Sequence, residues 1–120
     1  MNEQPVLSGF YDLADLEYEF AEDDLSHIEL HVAIYDMDWY EGSAFVVYRD
    51  LRDGKFYEVH GSHCSCFGLE KQWTPEEIHW GAMLMRNTFV RIDRDDPLEK
   101  RVRERIEALA SEYGEHAEVA

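Results

Sequence analysis

Residues 61 to 68 read Gly-Ser-His-Cys-Ser-Cys-Phe-Gly, which places His63, Cys64 and Cys66 within four positions. Imidazole and thiolate are zinc ligands, and a thiol beside an imidazole is the minimum for a cysteine nucleophile. Ligand counting tells against the metal. A structural zinc takes about four ligands, so His60 or His79 would have to complete the set. No second C-x-x-C or H-x-x-x-H pair exists, and the adjacent His63 and Cys64 cannot easily aim at one ion. Charge tells against the nucleophile, because acidic surroundings disfavour a thiolate and no oxyanion-hole motif accompanies the pair. The expectation is no catalytic residue, no metal and no cofactor, with a metal- or thiol-dependent enzyme on His63, Cys64 and Cys66 as the alternative. The loop then reads as a tight turn. Gly61 and Gly68 would supply unusual backbone angles, Ser62, His63 and Ser65 would bond backbone groups, and both cysteines would be buried as small apolar side chains.

A second kind of chemistry lies in the charge. The chain carries a net charge of −16 over 120 residues, distributed very unevenly. Residues 1–48 hold twelve acids and no Lys or Arg, giving −12; fifteen acids against eleven bases give −4 over the rest. A single-sign field of this kind repels nucleic acid and anionic membrane and attracts basic protein surfaces. The carboxylates expected to form a contact surface are Asp12, Asp15, Glu19, Glu22, Asp23, Asp24, Asp36, Asp38 and Glu41. Tyr11, Tyr18, Trp39 and Tyr40 stand among them as possible anchors. Core packing is the alternative for all four, a stronger one for Tyr18 than for Trp39 and Tyr40, which are the two expected to join the contact surface.

These side chains need elements to position them. In 10–22 the spacing of Phe10, Leu13, Leu16 or Glu17, and Phe20 favours a helix, with Asp12, Asp15, Glu19 and Glu22 as an acidic stripe on its solvent side; the alternation of Leu16, Tyr18 and Phe20 with Glu17 and Glu19 leaves a strand as the alternative. Alternation in 26–35 predicts a strand with Ile28, Leu30, Val32 and Ile34 on one face and His27, Glu29, His31 and Tyr35 on the other. DMDWYEG (36–42) reads as an acidic turn, and 43–50 and 55–61 as two further strands. Asp53-Gly54 reads as a two-residue hairpin turn. Thr74-Pro75-Glu76-Glu77 is a capping box that predicts a helix from 74 through the apolar positions Ile78, Ala82, Met85 and Phe89. Asp96-Pro97 opens another, with Leu98, Val102, Ile106, Leu109 and Tyr113 as its stripe and Gly114 as its stop. The final residues, EHAEVA, are expected to fray. The fold expected is α+β in a single domain over 1–120: an antiparallel meander of about three strands with helices packed on one face. No apolar run approaches the roughly 20 residues of a membrane span and no signal peptide is evident, so a cytoplasmic protein is expected.

The run Tyr57-Glu58-Val59-His60-Gly61-Ser62-His63-Cys64-Ser65-Cys66-Phe67-Gly68-Leu69-Glu70, with Gln72-Trp73 and Pro75-Glu76-Glu77 after it, carries a resemblance. It resembles small uncharacterised proteins of bacteriophages and prophages that share a YEVHGSHCSC-x-GLE-x-QW-x-PEE signature. The likeness covers about Gly42 to Glu77. It implies a phage origin and the cytoplasm of a bacterial host, and it brings no activity or catalytic residue with it. By character rather than by sequence, a small acidic phage protein resembles the DNA-mimicking anti-CRISPR and anti-restriction inhibitors. The function expected is therefore inhibition of a basic, nucleic-acid-binding host defence protein, with no direct contact to nucleic acid or membrane. A self-associating structural or regulatory phage protein is a further alternative, because Lys100, Arg101, Arg103 and Arg105 on the last helix could meet the acidic end of a second copy in a homodimer.

Overall fold

The structure, a computed structural model, describes residues 4–38, 41–64 and 68–114; of Asp38 it describes the backbone only. The elements run β1 (Val6–Ser8), α1 (Leu13–Phe20), β2 (Ile28–Asp38), β3 (Glu41–Asp50), β4 (Phe56–His63), β5 (Glu76–Glu77), α2 (Trp80–Leu84) and α3 (Pro97–Tyr113). The fold is α+β, and the sheet has five strands rather than three, in the order β1-β2-β3-β4-β5. β2, β3 and β4 form the expected antiparallel meander. The two strands not foreseen are the short edges: β1 lies parallel to β2, and β5 antiparallel to β4. The chain divides into two compact units, residues 1–77 and 78–120.

In the first unit the core is built on one face of the sheet by Ile28, Ala33, Ala44, Val46, Tyr48 and Val59, over which Phe10, Leu16, Phe20, Leu25 and Leu69 pack. The helix predicted in 10–22 forms, and Leu16 and Phe20 are the residues it buries. The predicted facing of β2 is only half right. Ile28, Glu29 and Leu30 pair with Asp50, Arg49 and Tyr48, but the next pairing is Val32 with Val47, which leaves His31 as an extra residue. This β-bulge reverses the in–out alternation. Ile28 and Leu30 face the α1 core before it; Ala33 and Tyr35 face that core after it. Val32 and Ile34 lie on the opposite face and are buried there.

Two turns differ from expectation. The segment 36–42 is mostly strand, since Asp36, Met37 and Asp38 pair with Ser43, Gly42 and Glu41. The β3–β4 connection spans five residues, 51–55, rather than two: Asp50 N–H donates to the Lys55 carbonyl at 2.8 Å, and Gly54 N–H to the Asp50 carbonyl at 2.7 Å. Only Gly54 of the Asp-Gly pair takes a positive φ, +75°, so the geometry is a longer loop closed by a left-handed glycine. Asp50, buried at the end of β3, organises it by accepting from the Arg52 backbone N–H at 2.8 Å and from its Nε and Nη2 at 3.0 and 2.8 Å.

The capping box at Thr74 does not start a helix. Glu76 and Glu77 instead pair with Glu58 and Tyr57, because the outer edge of β4 offers unsatisfied backbone groups. α2 begins only at Trp80 and covers five residues. α3 matches its prediction, with the Asp96 side chain accepting from Leu98 N–H at 2.8 Å and Pro97 in the first turn. Val102, Ile106 and Leu109 are buried. Gly114 ends it in extended geometry, φ −73°.

The second unit is tied together by a buried carboxylate. Glu99, 1% exposed, accepts from the backbone N–H groups of Phe89, Val90 and Arg91 at 2.8, 2.8 and 3.0 Å. One turn on, Arg103 Nη2 donates to the carbonyls of Arg86 and Asn87, both at 2.9 Å, and its guanidinium lies 4.6 Å from the Phe89 ring centroid. One face of α3 thus holds both the donors and the acceptors of the 86–91 loop.

Two predictions follow from these contacts. Glu99→Ala leaves three part-buried N–H groups without their acceptor and is expected to destabilise the second unit by about 2–4 kcal/mol, read as early loss of amide protection in 86–106. Unchanged protection would contradict the assignment. The Arg52 hydrogen bonds, the largest cause, hold the Asp50 carboxyl down at about 2, against an ordinary 3.8. Its contribution to stability is present above pH 4 and is lost as pH falls toward 2. Asp50→Asn should flatten that part of the acid-unfolding curve while lowering stability at pH 7.

Candidate functional site

The acidic residues of the N-terminal third are held by short-range backbone chemistry. Asp12 caps α1, accepting from Asp15 N–H at 3.0 Å. Asp15 in turn accepts from Tyr11 N–H at 2.7 Å, a reciprocal arrangement that fixes the helix start. The helix ends with Ala21 in the left-handed region (φ 56°, ψ 46°), and Glu22 N–H reaches back to the Glu17 carbonyl at 2.9 Å. A left-handed alanine costs about 1 kcal/mol. The turn is secured by Glu17, whose carboxylate accepts from Leu25 N–H at 2.7 Å. Asp24 accepts from Ser26 N–H at 2.9 Å, and this backbone hydrogen bond is the largest reason its carboxyl is held below the ordinary range.

The nine predicted carboxylates therefore serve two different purposes. Asp12, Asp15 and Asp24 are occupied in building the helix and its exit. The side-chain carboxylates of Glu22, Asp23 and Glu41 take no hydrogen bond or ion pair with any described residue, and Asp23 and Glu41 are exposed. Glu19 faces Tyr35: burial, then the charges of Glu19 and Glu70, push that hydroxyl above its ordinary value. Glu70, which the sequence reading passed over, belongs to this negative patch. Asp36 does not. It pairs with Ser43 and, by strand alternation, points to the face opposite Tyr35. The structure thus gathers the α1 acids on one side and places Asp36 and Glu41 at the far end of the meander, rather than all nine in one row. Asp38, Trp39, Tyr40 and Cys66 lie outside what the structure describes at the side-chain level.

The aromatic assignments also change. Tyr18, expected to lean toward the core, is 82% exposed, and Tyr11 is 86% exposed. The inward stripe of α1 is completed by Leu13, Leu16 and Phe20, which leaves Tyr18 on the outward side with Ala14 and Asp15.

At the open end of β2–β4 a concavity of about 500 Å³ is lined by Asp36, Glu41, Gly42, Ser43, Ser62, His63 and Cys64. Cys64 is exposed, not buried as the turn reading supposed. Gly61 and Gly68 take no positive φ. What shapes this loop is Gln72: its Oε1 accepts from Ser62 N–H at 2.8 Å and its Nε2 donates to the Gly68 carbonyl at 3.0 Å. His63 is held at both ring nitrogens, Nδ1 lying 2.9 Å from the Cys64 carbonyl and Nε2 2.6 Å from the Tyr35 hydroxyl. A carbonyl can only accept, so Nδ1 carries the proton and Nε2 accepts from the raised-pKa Tyr35 hydroxyl. A metal at His63 would have to displace one of these partners. Among the described residues no group of three or more His, Cys, Asp or Glu side chains could hold an ion.

A further His–carboxylate contact lies on β4, where His60 Nε2 is 2.7 Å from the buried Glu58. The β4 alternation around His60 was the only signal for it in the sequence. Comparison with protein-family models, curated proteins and solved structures gives no match, so the site is read from its own residues.

The His63 arrangement makes a spectroscopic prediction. At pH 8 the imidazole should be the Nδ1–H tautomer in nitrogen-15 spectra, and Tyr35→Phe should admit the other tautomer. Gly42→Ala should have a similar effect, because a methyl group there would collide with the His63 ring. A wild-type Nε2–H tautomer would contradict the geometry.

Proposed function

We propose that this chain is a phage-encoded acidic inhibitor that binds the basic, nucleic-acid-contacting surface of a host defence protein, of anti-restriction or anti-CRISPR type. The observation that carries the reading is the concentration of charge in one unit. Residues 1–77 hold eighteen acids and four bases, so −14 of the net −16 falls there, and no base precedes Arg49. Among the described residues, the ion pairs Arg52–Asp50, Lys55–Glu77, Arg91–Asp96 and Arg103–Glu99 draw on acids from Asp50 onward. The earlier carboxylates sit on a capped helix and a long strand pair, which presents them at fixed spacing at no folding cost on binding. A surface that binds phosphates offers rows of Lys and Arg, and such carboxylates can occupy it and exclude the nucleic acid. Association would be steered and sensitive to salt.

The local roles of the acids decide which ones to test. Reversing Asp12 or Asp15 would remove the helix cap together with the charge. Reversing Glu19, Glu22, Asp23 and Glu41 to Lys changes the field by eight units and leaves the cap intact. Affinity capture from a bacterial host lysate should yield a nucleic-acid-binding protein whose DNA or RNA binding is lost on addition of the wild-type chain. The fourfold variant should bind that partner at least a hundredfold more weakly, with its circular dichroism unchanged. Capture undiminished by the four reversals would overturn the proposal.

A further inference from the structure

The outward side of α1 carries more than charge. Tyr11, just before the Asp12 cap, and Tyr18, within the helix, are the two most exposed aromatic side chains described. Asp15 lies three residues before Tyr18 on the helix, and its carboxylate accepts from the Tyr11 backbone N–H; Glu22 follows just past the helix end. The backbone bonds of Asp12 and Asp15 hold Tyr11 at the helix start, and the Glu17–Leu25 bond holds the helix exit, so the backbone that carries both rings forms a pre-ordered ridge. Both tyrosines lie within the 48 residues that lack any base, and their open faces meet no Lys or Arg from that segment.

We infer that this ridge is a docking surface for an arginine-rich segment of the partner protein, the tyrosine faces taking guanidinium groups that the flanking carboxylates bind from the side. The inference rests on the proposed function and adds to it the place of contact and the kind of cation. Two properties of the ridge select arginine over lysine. A planar, weakly hydrated guanidinium stacks on a ring while its N–H groups remain directed at neighbouring carboxylates; an ammonium is compact, more strongly hydrated and cannot do both. Tyrosine also brings large contact area at low entropic cost, because two torsions fix it. Carboxylates alone would bind either cation in proportion to charge.

The test uses the full chain and two dodecapeptides, all-arginine and all-lysine, at equal ionic strength. The arginine peptide should bind about tenfold more tightly, with amide shifts centred on residues 11–22. In the Tyr11→Ala, Tyr18→Ala double variant that ratio should fall to near one while charge-driven binding of both peptides persists. Tyr11→Phe with Tyr18→Phe, which keeps the rings, should retain the preference. Both rings are exposed, and unchanged amide spectra elsewhere will show that the core is intact. Equal affinity of the wild type for the two peptides, a preference that survives the alanine variant, or shifts centred away from α1 would overturn the ridge and leave the acidic inhibitor standing. Failure of both peptides to bind would overturn the two readings together.

Discussion

The extra residue at His31 decides what faces what in the first unit. β2 enters the sheet with Ile28 and Leu30 toward α1 and leaves it with Ala33 and Tyr35 toward the same core, a sequence possible only with one extra residue between. Without the bulge, Val32 and Ile34 would face α1, and Asp36 would follow them to that side. Tyr35 would turn away from His63 and from the Phe10 ring, with which it now stacks at 5.2 Å. The placement of the acids is therefore a consequence of backbone register. His31 is itself anchored, its Nε2 2.9 Å from Glu29 and its ring 5.5 Å from Phe56.

On that frame the negative charge is arranged by two opposing demands. Like charges on one short helix destabilise it by a few tenths of a kcal/mol per pair. Asp12 and Asp15 offset this by capping, and an acid in the first turn also meets the positive end of the helix dipole. Glu17 and Asp24 serve the turn that returns the chain to β2. The remaining acids, Glu19, Glu22 and Asp23, contribute repulsion without a compensating bond, which is the pattern expected where charge is kept for a partner. The aromatic layer beneath, Phe20 against Trp73 at 5.0 Å and Trp73 against Tyr48 at 5.6 Å, supplies the stiffness that such a surface needs.

Much of this was legible in the residues. Helical spacing found α1, and the Asp96-Pro97 start with its apolar stripe found α3 over its full length. The meander followed from alternation. What escaped detection depended on partners distant in sequence. β1 is three residues long and takes its identity from β2; Glu76 and Glu77 are claimed by the open edge of β4 despite a sound capping signal. The bulge at His31 leaves no local mark, since both registers of 28–35 bury apolar side chains. In the candidate site, the acids were legible as a list but not in their division of labour, because which carboxylate binds a backbone N–H is set by the turn after it. The exposure of Tyr18 was missed for a related reason: alternation with Leu16 and Phe20 suggests a shared face in a strand but opposite faces in a helix.

The inhibitor proposed above binds a basic surface through charge that its first unit holds at fixed positions. The ionic-strength dependence of affinity for the captured partner tests it most directly. Between 50 and 200 mM salt, log affinity should fall linearly with log salt, by about two or more orders of magnitude. Affinity that does not change over this range would contradict it.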